Sequence, residues 1–115
     1  MFEVAELIFT ILSTDSGVNT IVGNKIFPLV ADQKTKTPFI VYELEELPRY
    51  SKGSANEYII TIHGFEDNFN KTIVLSEAIK TALAGAAQIF KYEGSQTHYQ
   101  SEKELIIKQR YKYKN

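Results

Sequence analysis

The stretch that decides the fold runs from residue 38 to residue 65 and reads PFIVYELEELPRYSKGSANEYIITIHGF. Its two ends, residues 38–44 and 58–65, are rich in β-branched and aromatic residues, which favour strands. Apolar side chains alternate along both, as they do on one face of a strand: Ile40, Tyr42 and Leu44, then Tyr58, Ile60 and Ile62. Residues 48–56 between them are polar and contain Pro and Gly. The stretch therefore predicts a long antiparallel hairpin.

Helices are predicted on both sides of this hairpin. The first has the i, i+3, i+4 spacing of a buried stripe, at Val4, Leu7, Ile8, Ile11 and Leu12. A short second helix follows, with Val18, Ile21 and Val22 inward and a stop at Gly23-Asn24. After the hairpin, Asp67 or Asn68 begins a helix that Gly85 ends. The apolar stripe of this central helix is Leu75, Ala78, Ile79, Ala82, Leu83 and Ala86.

Further strands are predicted before and after these elements. Residues 25–30 contain Pro28, which cannot donate a ladder hydrogen bond and so favours a sheet edge. Residues 88–92 form a candidate strand ended by Gly94-Ser95, and residues 97–100 form a short additional one. Residues 105–114 alternate with the period of a strand that has one solvated face. The sequence predicts a single α+β domain, residues 1–115, with an antiparallel-rich sheet of about four to five strands packed against an N-terminal helix and one central helix.

Composition excludes several classes of site. The formal net charge is −1, which gives no electrostatic reason to expect an anionic membrane or nucleic acid as partner. The chain contains no cysteine, so disulfides, thiol nucleophiles and thiolate metal sites are excluded. The N-terminus carries acids where a signal peptide carries positive charge, and no apolar run is long enough to span a bilayer. We expect the protein to stay in the compartment where it is made.

Residues for catalysis or metal binding are sparse. His63 lies on the strand face opposite Tyr58, Ile60 and Ile62, and His98 lies in a separate polar segment. The two histidines have no metal-ligand spacing, and no GxSxG, GxGxxG or P-loop pattern occurs. We therefore expect no enzyme, no cofactor and no metal site. A small acid–base enzyme would require a pocket that joins His63 to a carboxylate.

Charged residues form two groups along the strands. Glu43 and Glu45 share one strand side, which indicates either a solvated sheet face or a charged interface. In the last strand Tyr111 and Tyr113 face away from the cations, which are Lys108, Arg110, Lys112 and Lys114. Because a stacking platform for nucleic acid needs aromatics and cations on one surface, a lysine-bearing outer or edge strand is the favoured interpretation. Lys108 and Lys112 can also meet the Glu43/Glu45 face, within one subunit or between subunits.

Three local motifs resemble the tail completion (tail-to-head joining) proteins of long-tailed bacteriophages and prophages. They are Gly23-Asn24-Lys25-Ile26-Phe27-Pro28, Pro38-Phe39-Ile40-Val41-Tyr42 and Ile60-Thr61-Ile62-His63-Gly64-Phe65. In the family these positions are structural. The resemblance implies a homo-oligomeric, hexameric ring that caps the tail tube and joins it to the head–tail connector. It implies a place in the virion, assembly in the host cytoplasm, and contact with nucleic acid only where DNA passes through the ring.

The polar loop and the charged strand faces are the expected interface of such a ring. The residues expected there are polar and belong to no catalytic or ligand-binding motif: Glu43, Glu45, Arg49, Tyr50, Lys52, Lys108, Arg110 and Lys112. The alternative from another class is a small nucleic-acid-binding module that uses the basic C-terminal strand.

Overall fold

The structure is a computed structural model that describes residues 2–31, 34–48, 56–101 and 104–114. In these residues three helices and five strands follow one another in an α+β arrangement, which confirms the predicted fold class. In chain order they are α1 (Phe2–Thr14), α2 (Ser16–Val22), β1 (Ile26–Pro28), β2 (Phe39–Leu47), β3 (Glu57–Glu66), α3 (Phe69–Ala84), β4 (Phe90–Ser101) and β5 (Glu104–Lys114). Arg49, Tyr50 and Lys52 of the predicted interface lie outside the described residues.

The strands form one sheet in the order β1-β2-β3-β5-β4. The predicted hairpin is confirmed, since β2 and β3 pair antiparallel from Phe39 opposite Phe65 to Leu47 opposite Glu57. β1 pairs parallel to β2 at the sheet edge, as Pro28 indicated. α3 crosses over between β3 and β4, and β5 fills the position between these two strands.

The helices cover one face of the sheet and build the core there. α1 and α3 bury one stripe each, and the strands contribute alternate residues to the same cluster. The buried members include Val4, Ile8, Leu12, Leu75, Ile79, Leu83, Ile40, Tyr42, Ile60, Ile62, Tyr111 and Tyr113. The opposite face, which we call the outer face, therefore carries the odd-numbered residues of β2 and β3 and the even-numbered residues of β5.

Helix ends follow the capping chemistry of the sequence. The Asp15 carboxylate accepts a hydrogen bond from the backbone N–H of Val18 and begins α2. Asn68, rather than Asp67, caps α3 through its side-chain oxygen, which accepts from the N–H of Lys71 at 2.9 Å. Gly23 follows α2 with a φ of 62°, a conformation that glycine adopts at low cost.

Two strand predictions were wrong. Gly94-Ser95 does not end a strand, because β4 continues to Ser101 through a register shift between Tyr92 and Gly94. Gly94, at a φ of 130°, supplies the backbone freedom that such a bulge needs. The basic last strand is not at the edge either: β5 lies between β3 and β4, and β4 is the edge strand. In the part of the chain that the structure describes, no helix is both long and apolar enough to cross a bilayer.

Candidate functional site

Five of the residues predicted at an interface lie together on the outer face. The strand register places Glu43 in one row with Thr61 and Arg110, and Glu45 in one row with Ile59 and Lys112. Lys108 lies opposite His63. Because β3 separates β2 from β5, the acidic and basic strands are about 10 Å apart within the sheet. The outer face therefore has an acidic side on β2 and a basic side on β5.

The basic side forms its ion pairs with an acid that the sequence analysis did not single out. Lys112 Nζ lies 3.5 Å from Glu57 Oε2, and Lys114 Nζ lies 3.3 Å from Glu57 Oε1. The hydrogen bond from Lys114 is the main cause that lowers the pKa of Glu57 below its ordinary value, and Lys112 adds to it. In the described residues, Glu43 and Glu45 form no ion pair with a β5 cation. Lys108 and Lys112 therefore do not meet the Glu43/Glu45 face within one subunit. The other possibility, a contact between subunits, stays open.

An aromatic groove occupies the other end of the outer face, and the sequence analysis missed it. The rings of Phe39 and Phe65 stack with centroids 4.4 Å apart, and Phe27 meets Phe39 edge-on at 6.4 Å. Phe39 and Phe65, together with Val41, floor a groove of about 440 Å³. The available signal was the unbroken apolar run from residue 39 to residue 42, which is typical of a strand buried on both faces.

Exposed apolar residues form one wall of this groove. Leu29 and Val30 are 67% and 77% exposed, and both line the groove beside Ala31. Leu29 has a φ of 64°, and the N–H of Val30 donates to the Pro28 carbonyl oxygen at 2.7 Å, which defines a γ-turn. A branched side chain at positive φ is strained, and such strain clusters at functional positions. The turn holds two apolar side chains in solvent at the rim of the groove.

His63 lies in the groove next to a carboxylate. Its Nε2 is 3.7 Å from Glu43 Oε2, and that buried nitrogen has no hydrogen-bond partner. The groove thus joins His63 to an acid, as the acid–base alternative required, although 3.7 Å is longer than a hydrogen bond. Among the described residues, no cluster of three or more histidines, aspartates or glutamates could hold a metal ion.

The tyrosines of β5 face the helices. Tyr111 and Tyr113 are 2% and 8% exposed, so neither ring can stack on a base. The Tyr111 hydroxyl donates to Gln109 Oε1 at 3.1 Å, and burial raises the pKa of this tyrosine above its ordinary range. The prediction that aromatics and cations occupy opposite faces of this strand is confirmed.

Comparison with known proteins identifies the fold. No protein-family model and no curated protein sequence matches the chain. Among solved structures, the chain is similar to a chain of the virion of a native gene transfer agent particle, with a TM-score of 0.75 and 12% sequence identity. The match covers 93% of this chain and 90% of that chain. At this identity the likeness shows that the two chains share their fold.

Proposed function

We propose that the protein is a structural component of a phage-type virion and works as a ring-forming subunit at the head–tail junction. In that role it completes the tail tube and joins it to the connector. The observation that carries the proposal is the fold shared, over nearly the whole of both chains, with a protein of a gene transfer agent virion. The motifs that resemble tail completion proteins support the more specific position at the junction.

The positions of those motifs in the fold agree with structural roles. Gly23 provides the positive φ after α2, and Pro28 is the last residue of the edge strand β1. Pro38 directly precedes β2, and the third motif is the centre of β3. These residues set turns and strand ends and contribute to the core. The proposal therefore assigns function to surfaces between subunits and not to a catalytic residue.

The outer face supports ring formation through its separated charges. Glu43 and Glu45 lie on β2, whereas Lys108, Arg110 and Lys112 lie on β5. A contact between two different surfaces of identical subunits repeats head to tail. It closes into a ring when the rotation from one subunit to the next is a whole fraction of 360°. Acidic and basic sides at different places on one subunit suit such a contact, because each subunit offers the next the opposite charge. A hexamer is the size that the tail completion resemblance implies.

Deletion of the gene from the source phage or prophage tests the proposed function. We expect electron micrographs of the lysate to show filled heads and separate tails, since the subunit that joins them is absent. Expression of the intact protein from a second copy of the gene should restore complete particles. Complete, infectious or transducing particles in the deletion strain would contradict the proposal.

An acid–base activity has one observation in its favour, the His63–Glu43 pair in the groove. A general base must reach hydrogen-bond distance of the proton that it removes. The groove floor consists of Phe39, Val41 and Phe65, which also suits the docking of an apolar side chain. Replacement of His63 by Gln distinguishes acid–base catalysis from docking of an apolar side chain. Head–tail joining should persist in this variant if the histidine is not a catalytic acid or base.

A further inference from the structure

The two ends of the sheet differ in how much of each strand edge is paired. At one end β1 pairs with only three residues of β2, Ile40–Tyr42. The γ-turn at Leu29 then leads the chain away from β2. The C-terminal half of β2, residues 43–47, therefore has no neighbouring strand on this side among the described residues. We call this segment the open half of β2.

The hydrogen bonds to β1 fix which backbone groups face the open side. The N–H of Ile40 donates to the Lys25 carbonyl oxygen, and the Tyr42 carbonyl oxygen accepts from the N–H of Leu29, both at 2.9 Å. In a strand the N–H and C=O of one residue point to the same side, and the side alternates along the chain. The N–H and C=O groups of Leu44 and Glu46 therefore point to the open edge.

The opposite end of the sheet is a long edge strand. In the described part of the chain, β4 pairs with β5 and with no other strand. All of its residues from Phe90 to Ser101 are exposed except Phe90 and Gly94, which are half-buried, and none is proline. Unpaired edges of this length are templates for another strand, and proteins normally shorten or cover them. An edge that is retained at this length indicates a partner strand.

We propose that β4 of one copy adds to the open half of β2 of the next copy, so that the sheet continues from subunit to subunit around the ring. This inference rests on the proposed ring-forming function and names the contact that makes the ring. The added strand is antiparallel: β2 and β4 run in opposite directions within the sheet, and a ring whose sheets stand side by side preserves these directions.

Charge complementarity favours a second copy as the occupant of this edge. The open half of β2 carries Glu43 and Glu45 on the outer face. Lys91 of β4 lies on the outer face, since it is in register with Lys112 of β5. Strand addition brings the acidic side of one copy next to Lys91 of a neighbouring copy. Glu43 and Glu45, which form no ion pair with a β5 cation within one subunit, thereby gain a cation of a neighbouring subunit.

Proline at position 46 tests the backbone contact. The Glu46 N–H points to the open edge, so Glu46→Pro removes no ladder bond within the subunit but blocks strand addition. We expect E46P to raise the dissociation constant of the oligomer by about tenfold or more. The control Glu46→Thr removes the same charge and keeps the N–H, and it should assemble like the wild type. Circular dichroism and thermal melting of both variants report on the fold, and sedimentation or native mass spectrometry reports on assembly.

Disulfide cross-linking supplies a second measurement that does not depend on a proline. The natural chain has no cysteine, so Glu45→Cys can be mixed with single-cysteine variants along residues 91–100. A disulfide requires Cα atoms within about 7 Å. Strand addition therefore predicts efficient cross-linking at one or two adjacent β4 positions and none elsewhere on the strand.

The outcomes separate the two proposals. A wild-type protein that stays monomeric at its highest soluble concentration, an E46P variant that assembles normally, or an oligomer without cross-links to β4 would overturn strand addition. None of these results changes the outcome of the gene deletion. The proposed function is tested by the particles that the deletion strain forms. Cross-links at β4 together with complete particles in the deletion strain would retain the contact and reject the junction role.

Discussion

Gln109 Nε2 donates a hydrogen bond to the Ser76 carbonyl oxygen at 3.0 Å, which ties the centre of β5 to α3 inside the core. Gln109 is fully buried, and its Oε1 also accepts from the Tyr111 hydroxyl. A buried polar side chain is tolerated when its groups are paired, and here donor and acceptor both are. The bond fixes the position of α3 over the sheet.

Replacement of Gln109 by Leu should lower the free energy of unfolding by about 1–3 kcal/mol, because the Tyr111 hydroxyl loses its acceptor inside the core. Chemical denaturation followed by circular dichroism measures the change. Gln96→Leu on the exposed strand β4 is the matched control and should change stability by less than about 0.5 kcal/mol. Equal effects of the two substitutions would show that the buried bond contributes nothing.

Gly64 allows α3 to approach β3 closely. A Cβ at this position would lie 2.7 Å from Leu75 Cδ2 and 3.0 Å from Ile107 Cγ2. We expect Gly64→Ala to destabilise the protein by about 1–3 kcal/mol through overpacking. Gly85→Ala serves as the control, since an added Cβ there finds only ordinary contacts and the φ of Gly85 is −83°. Stability unchanged in G64A would mean that Leu75 moves aside without cost.

The hairpin and the helices could be predicted because each has a local signal. The alternation of apolar and polar residues in the strands of 38–65, and the apolar stripes of the helices, indicate which side chains face inward. The order of strands carries no such signal. The pattern of β5 indicates one buried face but not its neighbours, and so the edge position was assigned to β5 instead of β4.

Parts of the candidate site depend on contacts distant in sequence. Phe39 and Phe65 stack only because the hairpin register places them opposite one another, 26 positions apart. The strand end predicted at Gly94-Ser95 followed the usual meaning of glycine, whereas the ladder with β5 holds Gly94 in a bulge. Glu43 and Glu45, in contrast, were placed correctly on one face by alternation alone.

Glu66 should make stability depend on pH. The residue is 4% exposed, and burial raises the pKa of its carboxyl above the ordinary value. A carboxyl with a raised pKa in the folded state binds protons more tightly there, so stability falls as pH rises through the folded pKa. Relative to Glu66→Gln, the wild type should lose stability between about pH 4 and pH 7. Urea unfolding of both proteins at these two pH values measures the difference; a constant difference would contradict the prediction.

Single-stranded DNA should not be retained by the purified protein at physiological salt. The net charge is −1, and Tyr111 and Tyr113 are buried under the helices, so the β5 cations have no stacking partner from their own strand. Fluorescence anisotropy over a range of salt concentrations tests this. The result that would favour the nucleic-acid-binding alternative is salt-sensitive binding that disappears when Lys108, Arg110 and Lys112 are changed to Gln together.

Reversal of the acidic side of the outer face should prevent assembly. Glu43→Lys with Glu45→Lys would place like charges next to Lys91 of the next copy, a juxtaposition that costs several kcal/mol at an interface. The dissociation constant of the oligomer should therefore rise by about a hundredfold or more, measured by sedimentation. Glu3→Lys with Glu6→Lys on α1 makes the same change in net charge at exposed positions and should assemble normally. Because Lys91 is the proposed neighbour across the contact, Lys91→Glu should restore part of the assembly lost in a Glu45→Lys variant. Ring formation and head–tail joining that both survive the double reversal would refute an interface at Glu43 and Glu45.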